Sequence, residues 1–346
     1  MREEKKPLVT IMVPAYNEEE NLPELYKRLS HVLAKLESEY QFECLLIDNG
    51  SHDQTERIAL EFTKKDNRWK YIRFSRNFSI VASLTAAVFY AKGVALVYLF
   101  SDLQDPPEAI PEMLEKWRQG YDVVYGVVRE RHDSGLLKTV GARLFYRLLF
   151  WCSELKIPAN ATDFRLISRP VMEALKGCGE RVRYMRGLIF WTGFRQTSFV
   201  YDRSPRKRGR STADVLFCFR FAITAITIFS SKPLHIMSVL GMVMMLLGFF
   251  GASAYSVFYF LHSFHLIGVF NPPSPGWTTM ILIILFLGGM QFLFLGLLGE
   301  YIGNAYTELK NRPLWIVEKT AGFKENDPVG DYEVRQPSVI CSSRVI

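Results

Sequence analysis

The sequence predicts an α/β domain with a mainly parallel sheet, followed by an interfacial helix and two C-terminal transmembrane helices. Up to about residue 127, short apolar runs alternate with helical segments, which is the pattern of repeated βαβ units. Two later stretches, 236–261 and 277–298, lack Asp, Glu, Lys and Arg. Each exceeds the ~20 residues that cross a bilayer core. Buried helices of a soluble core are the alternative for these stretches.

The first two strands are apolar runs that stop at polar turns. Residues 8–14 end in a proline, and residues 42–47 end at the turn Asp48-Asn49-Gly50-Ser51. Acidic and amide residues at 17–21 suit the N-terminal end of a helix that continues to about residue 36. A second helix is expected from about residue 55.

The alternation continues through three more strands. We expect strands at 69–74, 95–100 and 121–127, and helices at 80–91 and 136–151. The strand at 95–100 ends at Ser101-Asp102. Ligands of such sheets bind at the carboxyl ends of the strands, and both Asp48 and Asp102 fall there.

Charge and cysteine content exclude several classes of protein. The net charge is +7, and a basic run at 203–210 could meet anionic lipid, nucleic acid or a phosphorylated substrate. Because this run lies just before the apolar stretches, no nucleic-acid partner is expected. The five cysteines are dispersed, which argues against a disulfide framework. The charged N-terminus is not followed by an apolar segment of signal-peptide length, so we expect the first domain in the cytoplasm.

Lysines and arginines around the apolar stretches predict a topology. The loop 262–276 contains neither, whereas Lys232 precedes the first stretch and Lys310 and Arg312 follow the second. The positive-inside rule therefore places both chain ends on the cytoplasmic side of the plasma (inner) membrane. An apolar, aromatic segment at 214–230 with polar breaks is expected to lie in the membrane interface.

These features divide the chain into four parts. They are an α/β domain at 1–212, an interfacial amphipathic helix at 213–232, a two-helix transmembrane domain at 233–304, and a cytoplasmic segment at 305–346 with a polar tail from residue 320. Small residues inside the apolar stretches could let helices of several copies associate into a homo-oligomer. They are Gly241, Gly248, Gly288 and Gly289. Simple lipid-facing glycines are the alternative.

The residues after the strand at 95–100 suit a divalent cation. Asp102, Gln104 and Asp105 offer oxygen ligands of the kind that Mg²⁺ or Mn²⁺ takes, and such an ion is shared with substrate phosphates. Read without context, acidic residues before a Pro-Pro turn are equally typical of the start of a helix.

Several motifs in order resemble glycosyltransferase family 2, whose members have the GT-A fold. The family motifs are Val-Pro-Ala-Tyr-Asn-Glu-Glu at 13–19, Asp-Asn-Gly-Ser-x-Asp-x-Thr at 48–55 and Asp-Leu-Gln-Asp-Pro-Pro-Glu at 102–108. Others resemble its polyprenyl-phosphate branch, which includes dolichol-phosphate mannose synthase and the bactoprenol glucosyltransferases. They are Asp-Phe-Arg-Leu at 163–166, Arg206-x-x-Gly209-x-Ser211, and Gly-Glu-Tyr-Ile-Gly at 299–303 with Lys-x-Arg-Pro at 310–313.

The resemblance implies roles for individual residues. The nucleotide of a sugar donor would be held by residues at the strand ends: Pro14, Tyr16, Asn17, Glu18, Asp48, Ser101 and Gln104. The metal would be held by Asp102, Gln104 and Asp105, with Asp102 and Gln104 also facing the diphosphate. The phosphate of a polyprenyl acceptor would be received by Arg129 and Arg143, with help from Arg206 and Ser211.

The sequence departs from the family pattern at two positions. Phe100 stands where the family usually has the first Asp of an Asp-x-Asp, and Asn49 stands where a second Asp is common. One metal carboxylate is therefore missing, unless Asp105 or Asp163 replaces it.

The implied reaction is inverting transfer of a sugar from a nucleotide-sugar to a polyprenyl phosphate at the cytoplasmic membrane face, with glucose from UDP-glucose as the first expectation. The second pKa of a phosphate is about 6, so the acceptor is ionised near pH 7 without a dedicated base. Asp163 is therefore expected to orient an arginine or the metal rather than to take a proton.

Three alternatives stay open. The donor could be a UDP-N-acetylhexosamine, UDP-aminoarabinose or GDP-mannose. A processive polysaccharide synthase is less favoured, because the chain lacks additional spans and a Gln-x-x-Arg-Trp motif. A non-catalytic nucleotide-sugar-binding membrane scaffold is a third possibility, and Phe100 is its main support.

Overall fold

A computed structural model of the chain describes residues 6–129, 158, 161–203, 232–263 and 277–323. The predicted helix at 136–151 lies outside these residues, and so does the interfacial segment at 214–230. Three predicted acceptor-site residues also lie outside them: Arg143, Arg206 and Ser211.

The core is a mixed sheet of eight strands: β1 (Leu8–Ala15), β2 (Gln41–Asp48), β3 (Trp69–Phe74), β4 (Ala95–Tyr98), β5 (Val123–Val128), β6 (Ala161–Ser168), β7 (Gln196–Tyr201) and β8 (Val317–Ala321). Their order across the sheet is β7-β5-β6-β4-β1-β2-β3-β8. The central strands β4, β1, β2 and β3 are parallel, whereas β6 and β8 run antiparallel to their neighbours. The predicted α/β fold with a mainly parallel sheet is confirmed.

Helices cover both faces of this sheet. They are α1 (Leu22–Leu36), α2 (Thr55–Lys65), α3 (Ile80–Tyr90), α4 (Ile110–Arg118), α5 (Arg169–Gly177) and α6 (Met185–Trp191). Buried side chains of α1, α2 and α4 form one apolar cluster with the sheet, and those of α3, α5 and α6 form another on the opposite face. Because both faces are covered, the central strands are almost continuously apolar. This apolar pattern is why these strands could be predicted from the sequence.

Two long helices follow the α/β domain. They are α7 (Lys232–Ser263) and α8 (Trp277–Leu309), and they contain the two predicted spans. Within the described residues, one segment, Phe286–Leu309, has the length and composition to cross a membrane. Phe249 and Phe292 are 65% and 78% exposed on these helices. Both crossings stay predictions.

The chain after α8 returns to the sheet, so the prediction that a free polar tail begins at residue 320 is wrong for Thr320 and Ala321. These residues belong to β8, which pairs antiparallel with β3. The strand was missed because its alternation is weak and it contains charged side chains. Those charges are paired beside the outer strand of the sheet. Glu318 lies 2.9 Å from the Arg73 guanidinium, and Lys319 lies 2.9 Å from Glu56.

Trp315, just before β8, fastens this segment to the domain. It is 6% exposed and packs against Phe74, Phe89 and Tyr90 with ring centroids 5.7–6.4 Å apart. Replacing Trp315 with alanine should lower the free energy of unfolding by about 3 kcal/mol, because a large buried side chain leaves a cavity. The adjacent Ile316 is 49% exposed, so Ile316→Ala is the matched control and should change stability by less than about 0.5 kcal/mol. Equal thermal midpoints for the two variants would contradict this packing.

Candidate active site

The predicted site residues that the structure describes lie at one edge of the sheet. The carboxyl ends of β1, β2, β4, β5 and β7 lie at this edge. Because β6 runs antiparallel to β4 and β5, its first residues also come to this edge, and they include Asp163. The fold therefore gathers carboxylates and guanidinium groups from distant parts of the sequence.

The loops after β1 and β2 are joined by hydrogen bonds. The backbone N–H of Asn17 donates to Ser51 Oγ (2.9 Å), and the N–H of His52 donates to Asn17 Oδ1 (2.9 Å). The N–H of Glu18 donates to Thr55 Oγ1 (3.0 Å). Asn17 also has a left-handed backbone, with φ 56°, so α1 begins at residue 22 rather than at 17. Tyr16 is 41% exposed on this rim and presents an aromatic surface there.

Asp48 is fully buried, and its bonds are made within the protein. Its Oδ1 accepts from the backbone N–H and the hydroxyl of Ser51 (2.8 and 2.6 Å), and its Oδ2 accepts from the Tyr71 hydroxyl (2.7 Å). Burial, and next the charge of Asp48, raise the pKa of Tyr71, so this hydroxyl stays a neutral donor. Asp48 therefore fixes the turn at 48–51.

The end of β4 is tied to the end of β1. The Ser101 hydroxyl donates to the carbonyl of Pro14 (2.7 Å), and Ser101 is 4% exposed. The next residue, Asp102, is half-buried, and its Oδ1 accepts from the N–H of Gln104 (3.2 Å). The turn between them needs Leu103 at φ 59°. Asp102 is thus held on the edge of the sheet by a short turn.

Asp105 lies deeper than Asp102. It is 2% exposed, accepts a hydrogen bond from the Tyr201 hydroxyl, and lies 3.8 Å from Arg203 Nε. Burial raises the pKa of Asp105 to about 6, although the Tyr201 bond and Arg203 act in the opposite direction. The nearby charges of Asp102 and Asp163 raise it further.

Asp163 holds two arginines. Arg186 forks onto it, with Nε 3.1 Å and Nη2 2.8 Å from the two carboxylate oxygens, and Arg165 Nη2 lies 3.1 Å away. Burial alone would raise the pKa of Asp163, but the Arg186 and Arg165 guanidinium groups outweigh it and hold the pKa below its usual value. A carboxylate with a lowered pKa is a weak base, so this geometry favours orientation of arginines over proton abstraction.

Arg129 lies on the rim of the site. It follows β5, its side chain is 69% exposed, and its guanidinium lies 3.6 Å from Asp202. Four further residues of the site were not singled out from the sequence: Arg165, Arg186, Tyr201 and Arg203. Arg165 and Arg203 fell within noted motifs, but no local pattern marks Arg186 or Tyr201, because tertiary contacts alone bring them to the edge.

The carboxylates suit a metal ion that is also bound by substrate phosphates better than one bound by protein side chains alone. Within the described part of the chain, no group of three or more His, Cys, Asp or Glu side chains is arranged to hold a metal ion. Asp102 suits a site in which one or two carboxylates share Mg²⁺ or Mn²⁺ with substrate phosphates. Asp105 suits it less, because it is buried against Tyr201. Phe100 packs on the apolar cluster of α3, α5 and α6.

The α/β fold with its mainly parallel sheet, and the strand-end carboxylate at the same edge as the Asp163–Arg186 pair, fit a GT-A-like glycosyltransferase. The family model "Glycosyl transferase family 2" matches residues 10–176. The chain belongs to glycosyltransferase family 2, and the prediction of a sugar-transferring enzyme is confirmed.

Relatives match along almost the whole chain. An uncharacterized glycosyltransferase of Synechocystis sp. is 39% identical over 91% of this chain and 96% of its own length. A prophage-derived bactoprenol glucosyl transferase of Shigella flexneri is 36% identical over 90% and 98%. A solved structure of S. aureus TarS 1–349 is similar at a TM-score of 0.41 and 16% identity over 65% of each chain, a likeness too weak to add to the assignment.

Proposed function

We propose that this glycosyltransferase transfers a hexose, glucose from UDP-glucose, to a polyprenyl phosphate at the cytoplasmic face of the membrane. The observation that carries the proposal is the pairing of Asp163 with Arg186 and Arg165 at the same sheet edge as Asp102. The bactoprenol glucosyl transferases at 35–36% identity support the choice of sugar and acceptor.

The donor would bind along the ends of β1, β2 and β4. Tyr16 offers an exposed ring for the base, while Asn17, Glu18 and Asp48 shape the loops around it. The bond between Ser101 and Pro14 joins the two strand ends, on which the nucleotide would lie. Asp102 and Gln104 would hold Mg²⁺ or Mn²⁺ together with the donor diphosphate, with Asp105 behind them.

The acceptor phosphate would bind on the arginine side. Arg186, held by Asp163, and Arg129 on the rim provide guanidinium groups that suit phosphate oxygens. Arg143, Arg206 and Ser211 are proposed to complete this side, as the resemblance to the polyprenyl-phosphate branch implies. Asp163 acts as a positioning residue for the arginines.

The chemistry needs one displacement. The ionised acceptor oxygen attacks the anomeric carbon, the bond to the nucleoside diphosphate breaks, and the configuration inverts. The residues at the edge position both anions and counter the negative charge of the leaving group, which is where the rate enhancement arises. A bound divalent cation would supply part of that neutralisation.

The apolar helices would hold the pocket at the depth of the lipid phosphate. The prenyl chain is insoluble in water, so its phosphate is available only at the membrane surface. We propose two crossings by α7 and α8, with the domain and both termini cytoplasmic, and association of copies through the glycines of these helices. Phe286–Leu309 is the segment that supports a crossing most directly.

Radiolabelled sugar transfer tests the proposed function. With UDP-glucose and undecaprenyl phosphate, label should enter an organic-extractable phosphate lipid. EDTA should lower the rate at least about tenfold, and Mg²⁺ or Mn²⁺ should restore it. A parallel panel of UDP-N-acetylhexosamine, UDP-aminoarabinose and GDP-mannose decides the donor. If no donor of the panel labels a lipid in the wild-type protein, the proposed function is wrong.

A further inference from the structure

Asn49 is one of the two positions where the sequence departs from the family pattern. Both the oxygen and the nitrogen of its side-chain amide form hydrogen bonds. It is 5% exposed. Its Oδ1 accepts from the backbone N–H of Phe78 (2.8 Å), and its Nδ2 donates to Asn77 Oδ1 (3.0 Å). Asn77 Oδ1 also accepts from the backbone N–H of Ser79 (2.9 Å). The turn after β2 is thus bonded to the β3–α3 loop (residues 75–79).

The orientation of both amides follows from these bonds. The N–H groups of Phe78 and Ser79 can only donate, so the atoms facing them must be the Oδ1 atoms of Asn49 and Asn77. The atom of Asn49 that faces Asn77 Oδ1 is then its Nδ2, which carries hydrogens. An aspartate at position 49 has no hydrogen to donate. Asn77 would have to turn its own amide toward it, and Ser79 would lose its acceptor.

Ser79 needs such a restraint because of its backbone. Its φ of 87° and ψ of 161° lie in a region that is almost restricted to glycine. The loop is also pressed against the turn after β2: a Cβ on Gly50, at φ +76°, would lie 2.7 Å from the carbonyl carbon of Arg76. A strained backbone conformation persists only where surrounding contacts hold it in place. Here the hydrogen bonds of Asn49 and Asn77 and the close approach of Gly50 hold the loop.

We infer that Asn49 is a positioning residue of the donor site, which acts through Asn77 to hold the β3–α3 loop against the turn at 48–51. This inference rests on the proposed function for what the loop does. The loop carries Arg76, an exposed cation whose guanidinium lies 4.1 Å from the Phe78 ring, at the edge where the anionic donor is proposed to bind. Displacement of the loop should therefore weaken donor binding and leave acceptor binding unchanged.

Asn49→Asp in the full-length protein tests this inference. Hydrogen–deuterium exchange in a peptide spanning 75–80 should become faster by about tenfold, and KM for UDP-glucose should rise by about tenfold, which corresponds to about 1.4 kcal/mol. KM for polyprenyl phosphate should stay within twofold. Asn67→Asp is the matched control: it makes the same charge change on the exposed turn before β3, and it should alter none of these values.

A second variant checks the route through Asn77. Asn77→Ala removes the shared acceptor, so it should reproduce the faster exchange, and adding Asn49→Asp to it should have little further effect. Unchanged exchange and unchanged donor KM in Asn49→Asp would overturn the inference. So would equal rises in the KM values for donor and acceptor, which indicate a general structural defect. The exchange measurement needs no substrate, so a wild-type protein that transfers sugar from no donor of the panel would contradict the proposed function separately.

Discussion

Asp102→Asn should lower kcat/KM for sugar transfer by about a thousandfold, the upper range for loss of one charge-stabilising group in an active site. The substitution keeps the shape of the side chain and its bond to the N–H of Gln104, but it removes the charge that would hold a metal on the donor diphosphate. Steady-state kinetics over a range of Mn²⁺ concentrations measures the effect. The metal concentration for half-maximal rate should rise along with the loss of rate.

The control for Asp102 is Glu108→Gln. Glu108 lies in the same acidic segment, but it is on the surface and forks with Arg28 at 2.6–2.9 Å. Its substitution makes the same change of charge, and it should leave kcat/KM within about twofold because exposed ion pairs contribute little. If both variants transferred sugar at the wild-type rate, Asp102 would be no more than part of a helix start, and the proposed metal site at Asp102 would be wrong.

Asp163→Asn should damage both activity and stability. Arg165 is 1% exposed and depends on Asp163 for its charge partner, so the free energy of unfolding should fall by about 3 kcal/mol. The thermal midpoint should drop by about 6 to 12 °C. Because Arg186 also loses its orientation, kcat/KM should fall by about a hundredfold. Differential scanning fluorimetry and the transfer assay measure the two effects separately.

The pH dependence of this variant has a defined sign. The pKa of Asp163 is lowered in the folded protein, so its stabilisation is complete above the unfolded value of about 3.9 and is lost as the pH falls below it. Wild type and Asp163→Asn should therefore differ in stability at neutral pH and converge in acid. Glu173→Gln is the control, because Glu173 also bridges two cations, Arg169 and Lys176, but on the exposed surface. A similar loss in both variants would contradict a special role for Asp163.

The central part of the fold was readable from the sequence for a physical reason. Strands covered by helices on both faces are nearly all apolar, and their runs end where polar turns begin. The strand β3 was predicted at its observed bounds, and β1, β2 and β4 within two residues of theirs. The helix α3 was likewise predicted to within one residue.

Three of the described strands were missed, β6, β7 and β8, and charged side chains obscure the apolar pattern of β6 and β8. In β6 the apolar run is interrupted by Arg165, which is buried only because Asp163 balances its charge. In β8 the charges of Glu318 and Lys319 pair with β3 and α2 across the sheet edge. A single sequence shows the charges but not their partners, so such strands look like loops or tails.

The site residues also fall into two groups, those that local motifs predicted and those that only the folded structure reveals. Motifs after β1, β2 and β4 marked Tyr16, Asp48 and Asp102, because turns at strand ends are local in sequence. The structure adds that the side chains of Asp48 and Ser101 form hydrogen bonds with neighbouring strands and turns. Arg186 could not be predicted, since it lies on α6 and meets Asp163 only when the sheet has formed.

Crystals grown with UDP and Mn²⁺ would test the central claim most directly, through the anomalous signal of manganese. We expect a manganese peak at coordination distance from the Asp102 carboxylate, with the uracil beside Tyr16 and the diphosphate between the metal and the side of the edge that carries Arg186. A nucleotide bound at another edge of the sheet, or manganese away from Asp102, would contradict the proposed donor site.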